Sequence, residues 1–397
     1  MKKYNINVQA LFPLIIIPTL LSILAYFYIN NYGFSTTELL FAIVSYYVCN
    51  ITVGIGFHRL WSHTSYKTTK AVEFILIMLS AATLQGPVLM WASDHYKHHS
   101  HTDEEQDPHS PLKYSNKILG FLWSHMGWMI FASKESKIIT RLVLVKLGSN
   151  KLVMWQFKNY WAIAIFMNFV FTAMLGYLIT GNMQGAAAGI IFMGIGRAIQ
   201  QQATFLINSL CHFFGSRKYS TNTSGDIWWL APFLLGENWH NYHHAFPMDY
   251  RNGFKWYQFD VHKWIIYLMS KTGLAWDLNR TSDIRINAKM EEKTSLTIKQ
   301  TQVQWNDLQT KAEKLKELLS NTATSIENSS YKVKSNLEQK IKYIQTQIAY
   351  ISEQAQLFVQ LPENSSTKLL NRAKKELVEF ENFIKNLVAT LIPVNNK

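Results

Sequence analysis

Four stretches of this chain are apolar enough to cross a bilayer: "LFPLIIIPTLLSILAYFYI" (residues 11–29), the run 37–57, "YWAIAIFMNFVFTAMLGYLIT" (160–180) and "GAAAGIIFMGIGRAIQQQATFLI" (185–207). About 20 predominantly apolar residues span the hydrocarbon core as a helix, so each predicts a membrane span. The first lacks a small-residue cleavage site and is followed promptly by the second, which reads as an anchor and not a cleaved signal. The spans form two hairpins whose turns, 30–36 and 180–184, contain no Lys or Arg, whereas residues 58–158 hold twelve and residues 208–280 hold seven. The positive-inside rule assigns those basic stretches, and with them both termini, to the cytoplasmic side. A further apolar stretch, "AVEFILIMLSAATLQGPVLMW" (71–91), is expected to lie in or dip into the interface.

Beyond Arg280 the pattern changes. Residues 281–397 are polar, yet Leu308, Ala312, Leu315 and Leu319, then Ile341, Ile344, Ile348 and Ile351, then Leu370, Ala373, Leu377, Phe380 and Ile384 keep helical spacing. The polar breaks "SNTATSIENSS" and "LPENSS" predict turns, and hence a helical hairpin or coiled coil. The expected architecture is an all-α integral membrane protein: a membrane domain over 1–280 and a helical extension over 281–397.

The 397 residues are 48% hydrophobic with a mean hydropathy of −0.04, an average over these two unlike parts. Cys49 and Cys211 are too few for a disulfide framework or an iron-sulfur cluster. The net charge of +13 could suggest nucleic acid, but no basic stripe interleaved with aromatics accompanies it, and topology accounts for the charge. The last span alone carries a polar run, Arg197, Gln200, Gln201, Gln202 and Thr204, expected to face an interior cavity.

Eleven of the thirteen histidines fall in four short segments, leaving only His125 and His262 outside. "ENWHNYHHAFP" places His240, His243 and His244 at i, i+3 and i+4, one face of a helix. "DHYKHHSHTDEEQDPH" repeats the spacing with His95, His98 and His99 and adds His101 and His109. "FHRLWSH" offers His58 and His63, and "NSLCHFFG" offers Asn208 and His212. Four spans return every segment to one membrane face, so one metal centre becomes possible. The candidate ligands are His58, His63, His95, His98, His99, His212, His240, His243 and His244, with Asn208 near enough to hold a water. Nine imidazoles exceed one tetrahedral zinc site, which points to two metals. His58 and His63 are about 140° apart on an ideal helix, which implies different metals or a distorted turn. Imidazole suits Fe, Zn, Cu and Ni alike. A cavity within the membrane favours redox chemistry on apolar substrates, and the HExxH of a zinc hydrolase is absent. A metal transporter would carry its ligands inside the spans.

In order and spacing, "GFHRLWSHTSYK", "DHYKHH", "DPH", "SHMGW", "NSLCHFFG" and "GENWHNYHHAFP" resemble the motifs of the membrane fatty acyl desaturases, in particular the stearoyl-CoA Δ9 desaturase-like group, over roughly residues 40–280. The resemblance implies four membrane helices under a cytosolic cap. It also implies a di-iron centre on the nine histidines, with Asn208 holding a water on one iron and O2 as co-substrate. Cis-desaturation of a long saturated acyl chain follows, with Gln85, Trp91 and Thr204 shaping a bent substrate tunnel. A hydroxylase on the same scaffold is the rival. His109 and His125 match positions that are not iron ligands and are expected to be structural; His101 and His262 are expected at the surface. Residues that hold a CoA headgroup in the acyl-CoA enzymes are here Ser93 and Gly86, and an adjacent Arg-Lys pair is replaced by Lys134 and Lys137, while Asp94 remains. The carrier is therefore open among CoA, acyl carrier protein and glycerolipid. The extension contains no histidine for a haem, so electrons are expected from a separate donor of ferredoxin or cytochrome b5 type with its reductase.

Overall fold

The computed structural model describes residues 5–133 and 138–326, with isolated helical positions between 339 and 386. It is mostly helical. Among the described residues the only strands are two short antiparallel pairs, Asn5–Ile6 with Phe131–Ala132 and Lys67–Thr68 with Ala275–Trp276. The principal helices are α1 (Val8–Tyr32), α2 (Thr36–Ser62), α3 (Lys70–Ala82), α4 (Val88–Ser100), α5 (Lys151–Thr180), α6 (Met183–Asn208), α7 (Leu210–Phe213), α8 (His240–Ala245), α9 (Val261–Lys271) and α10 (Asp283–Ile326). The chain divides into two compact units, Met1–Met290 and Glu291–Lys397. In the second unit α10 runs on to Ile326, and the hairpin or coiled coil expected after it lies outside the described residues.

Three of these helices, α1, α2 and α5, are long and apolar enough to cross a membrane. Outward-facing Ile23, Phe27, Leu40, Val44, Phe169 and Leu178 are each more than 40% exposed, an apolar girdle of the kind lipid covers. The fourth expected span is a 26-residue helix, α6, about 39 Å at 1.5 Å per residue. Its length suffices, but Arg197 and three consecutive glutamines leave it less apolar than the other three.

Local chemistry fixes the hairpins. Ser35 and Glu38 form a capping box at the start of α2, and the Tyr28 hydroxyl donates to Glu38 Oε1 at 2.9 Å, tying the end of α1 to it. Asn182 caps α6 by accepting from the Gly185 N–H at 2.8 Å. Along α6, a Cβ on Gly189 would strike the Thr172 carbonyl and one on Gly196 the Ala42 carbonyl. Their lack of side chains lets α5 and α2 approach at backbone distance, the usual device between helices in lipid.

The apolar stretch 71–91 is not one helix. It breaks into α3 and α4 at a turn where Leu84 has φ 52° and Gly86 φ 96°. With 13 residues, α3 rises about 20 Å and is too short to cross the roughly 30 Å hydrocarbon core.

Candidate metal centre and its cavity

The last eleven residues of α2, Thr52–Ser62, wind as a π-helix, closed by a bond from His63 N to His58 O at 3.1 Å. This i→i+5 turn is wider than an α-turn, so His58 and His63 point to the same side despite their spacing. On α4 and on α8 the spacing H-x-x-H-H divides its rings between two groups. One group is His58, His63, His95, His99 and His243; the other is His98, His212, His240 and His244; within each, one ring nitrogen per residue lies within 4.8 Å of all the others. Helices α4 and α8 therefore each serve both groups.

The rings meet through Nε2. His243 Nε2 lies 2.9 Å from both His58 Nε2 and His99 Nε2, and His63 Nε2 lies 2.7 Å from His95 Nε2. In the second group His240 Nε2 is 3.0 Å from His212 Nε2 and 3.1 Å from His244 Nε2, which is 3.2 Å from His98 Nε2. A neutral imidazole has one N–H, so a nitrogen with two such neighbours cannot satisfy both by hydrogen bonding. A cation at the centre of each group satisfies every lone pair, and the donor sets fit an imidazole-binding metal.

Some of the outward nitrogens meet oxygen acceptors, as those of metal-binding histidines usually do, whereas Nδ1 of His240 and of His243 is buried with no partner. His98 Nδ1 is 3.0 Å from Asp107 Oδ1, and His212 Nδ1 is 2.8 Å from Thr223 Oγ1, which in turn bonds Asp103. His58 Nδ1 lies 2.7 Å from Glu237 Oε2, off the line of a straight bond. Glu237 is itself buried among cations and donors: Arg59 and His262 approach Oε1 at 3.0 Å, and Asn252 donates to Oε2 at 2.9 Å. Asp260 takes the same guanidinium at 3.1 Å.

Burial, reinforced by neighbouring rings, holds His63, His95, His98, His99, His212, His243 and His244 well below the ordinary imidazole pKa, and His240 at about 3. The rings are thus neutral near pH 7, the form that ligates metal. Burial alone would raise Glu237, but His58, Arg59 and its hydrogen bonds outweigh it and hold the carboxyl well below its usual range. Asp107 is pushed up to about 7 by burial, against the backbone N–H groups of His109 and Asp103.

Beside the first group lies a cavity of about 520 Å³, within the range of ligand pockets. Gln85, Trp91, Asp94, Thr204, Asn208, His95 and His109 line it. Trp91 stacks on His95, ring centroids 4.9 Å apart. Asp94 pairs with Lys97 at 3.0 Å. Ser93 is buried and accepts from Thr140 N at 2.9 Å, so it faces the protein and not a headgroup; Lys134 and Lys137 lie outside the described residues.

Of the remaining histidines, His125 bonds Ser209 Oγ and Gln202 Oε1 at 3.0 and 3.1 Å, and His101 is half-exposed beside Glu104. His109 is buried with its Nδ1 unpaired, 3.9 Å from Asp107. His262, expected at the surface, is fully buried. It sits on α9 beside α2, where Gly54 leaves room for its ring, and its lone neighbourhood in the sequence gives no sign of the carboxylate it meets. Glu237 and Asp107 were missed as partners although both stand inside the histidine motifs, three residues before His240 and two before His109.

The sequence profile of fatty acid desaturases matches residues 36–275. A probable acyl-CoA desaturase of Schizosaccharomyces pombe is 39% identical over 253 residues, 63% of this chain and 51% of its own length. Acyl-CoA desaturase 1 of Saccharomyces cerevisiae is 34% identical over 276 residues, 68% and 52%. Delta-9 acyl-lipid desaturase 1 of Arabidopsis thaliana is 33% identical over 258 residues, 64% and 78%. The matched region is about half the length of the two yeast relatives. With its two histidine groups inside the matched region, the chain belongs to the fatty acid desaturase family.

Proposed function

We propose that the chain is an O2-dependent membrane fatty acyl desaturase that introduces a cis double bond, at Δ9, into a long saturated acyl chain carried as a CoA thioester or a lipid. The observation that carries this reading is the pair of imidazole groups, the first of which opens through His95 onto a cavity walled by Leu84, Met90, Trp91, Phe157 and Phe205. In this reading the nine histidines hold two irons, with Asn208 placing a water on one. Such a centre, reduced by two electrons, supplies the oxidising power to take two hydrogens from adjacent carbons, with O2 leaving as two waters once two protons are added.

The chain's own residues do the rest. The apolar wall binds the hydrocarbon and excludes water, Trp91 packs the chain's path against His95, and Gln85 with Thr204 sets the bend, joined through Gln200 by bonds of 3.2 and 2.6 Å. Helix α6 serves as the fourth span, and the histidine face and both termini are cytoplasmic, in keeping with the basic residues of 58–158 and 208–280. Electrons come from a separate ferredoxin or cytochrome b5 with its reductase.

The test is mass spectrometry of total fatty acids from desaturase-deficient cells expressing the full chain with a donor, beside His243→Ala. New cis-monoenes that vanish in the variant are expected. Hydroxy acids in their place would replace desaturation by hydroxylation, and no oxidised product from iron-loaded, reducible protein would overturn both.

A further inference from the structure

The polar run on α6 has a use other than facing the cavity. Gln201 is fully buried and Arg197 is 2% exposed; four residues apart, they share one face of the helix. Arg197 NH1 approaches Gln201 Oε1 at 3.5 Å, which directs the Gln201 amide nitrogen the other way. That nitrogen donates to the carbonyls of Thr83 and Leu84 at 3.0 and 3.1 Å. Both of its hydrogens are used.

These carbonyls belong to the turn that ends α3, where helical C=O groups lose their intrahelical partners and where Leu84 and Gly86 both hold positive φ. A non-glycine residue in the left-handed region persists only when its surroundings impose it. From the opposite side, the Tyr160 hydroxyl accepts from Gly86 N at 3.0 Å and Gln156 Oε1 accepts from Val88 N at 3.1 Å. The turn is thus held between α6 and α5. Leu84, Gln85, Gly86 and Pro87 form part of the cavity wall, and the same backbone continues into α4, which carries His95, His98 and His99.

We propose that Gln201, its amide oriented by Arg197, is a positioning residue: it clamps this turn and so sets which pair of acyl carbons lies against the metal centre. The inference rests on the desaturase reading. Successive carbons of an acyl chain are about 1.5 Å apart along the bond, so a shift of the wall by that order presents a neighbouring pair. A misplacement of about 1 Å can cost on the order of a hundredfold in rate, so a loosened turn slows the normal position while admitting others.

The experiment compares double-bond positions in the products of the full-length wild type, Gln201→Met, Tyr160→Phe and Gln202→Met, with metal content measured on each. Gln201→Met keeps the shape of the side chain and loses both bonds to the turn. It is expected to lower kcat about tenfold or more, with KM little changed and metal retained, and to yield positional isomers that the wild type does not make. Tyr160→Phe, which releases the other anchor, shifts the distribution in the same sense. Gln202→Met, whose side chain meets His125 and not the turn, keeps the wild-type position. Wild-type positions from both Gln201→Met and Tyr160→Phe would overturn the clamp; if Gln201→Met fails to fold, Tyr160→Phe decides. A wild type that makes no unsaturated product would instead sink the desaturase reading, and the clamp with it.

Discussion

Glu237→Gln tests how far the metal centre depends on a residue that touches no metal in this account. The carboxylate is 5% exposed and is approached by four nitrogen donors, Arg59 and His262 at Oε1, His58 and Asn252 at Oε2. A glutamine has one acceptor oxygen. Whichever way its amide turns, its NH2 faces two donors, and the Arg59 guanidinium keeps only Asp260 as a charged partner. Removing one member of a buried ion pair costs about 3–5 kcal/mol, and loss of an oxygen partner behind a ligating histidine lowers metal affinity about 10–100-fold. The expected result is therefore a clearly lower melting temperature in detergent and loss of metal from the group containing His58 at chelator concentrations the wild type resists. The assays are differential scanning fluorimetry and elemental analysis of the full-length protein after graded chelator exposure. A variant that melts and holds metal like the wild type would refute the role assigned to Glu237.

Two further outcomes follow from the same geometry. Gly54→Ala places a methyl where the His262 ring now sits; overpacking of this kind costs about 1–3 kcal/mol, and His262→Ala in the same chain is expected to recover part of the loss, which a double-mutant cycle in thermal melts will read. The chelator-stripped protein is expected to lose stability as pH falls below about 6.5, because its depressed imidazoles stay neutral when folded while an unfolded chain takes up protons there. Asp107 and Asp226, each raised to about 7, act in the opposite sense, since each keeps when folded a proton that an unfolded aspartate loses near pH 3.9, and burial raises Asp94 as well; these three groups stand against the nine depressed imidazoles of His63, His95, His98, His99, His109, His212, His240, His243 and His244. A melting temperature that holds or rises from pH 6.5 to 5 would contradict the neutral burial of these rings.

How legible these features were depended on the range of the interaction. The H-x-x-H-H spacing of α4 and α8 is local, and the helical face it defines follows from the 3.6-residue period alone. For His58 and His63 the sequence left two alternatives, different metals or a distorted turn, because a π-helix has no pattern in the sequence and five residues on an α-helix point apart; the π-turn at the end of α2 is that distorted turn. The break between α3 and α4 falls in an apolar run, where only the Gly86-Pro87 pair hints at a turn; the positive φ of Leu84 is imposed from α6 and α5, more than 70 residues away in sequence. For the same reason Gln201 read as a cavity residue when its amide is spent on backbone. His262 stands outside every histidine motif, and its burial depends on Gly54 and Glu237, contacts that no local pattern encodes.

The most direct measurement of the central claim is the iron content of the purified full-length protein together with Mössbauer spectra after growth on 57Fe. The account predicts two non-haem irons per chain in two unequal environments, one drawn from His58, His63, His95, His99 and His243, the other from His98, His212, His240 and His244, both reducible by two electrons in total. A folded, fully metallated and active protein with a single metal per chain would contradict it.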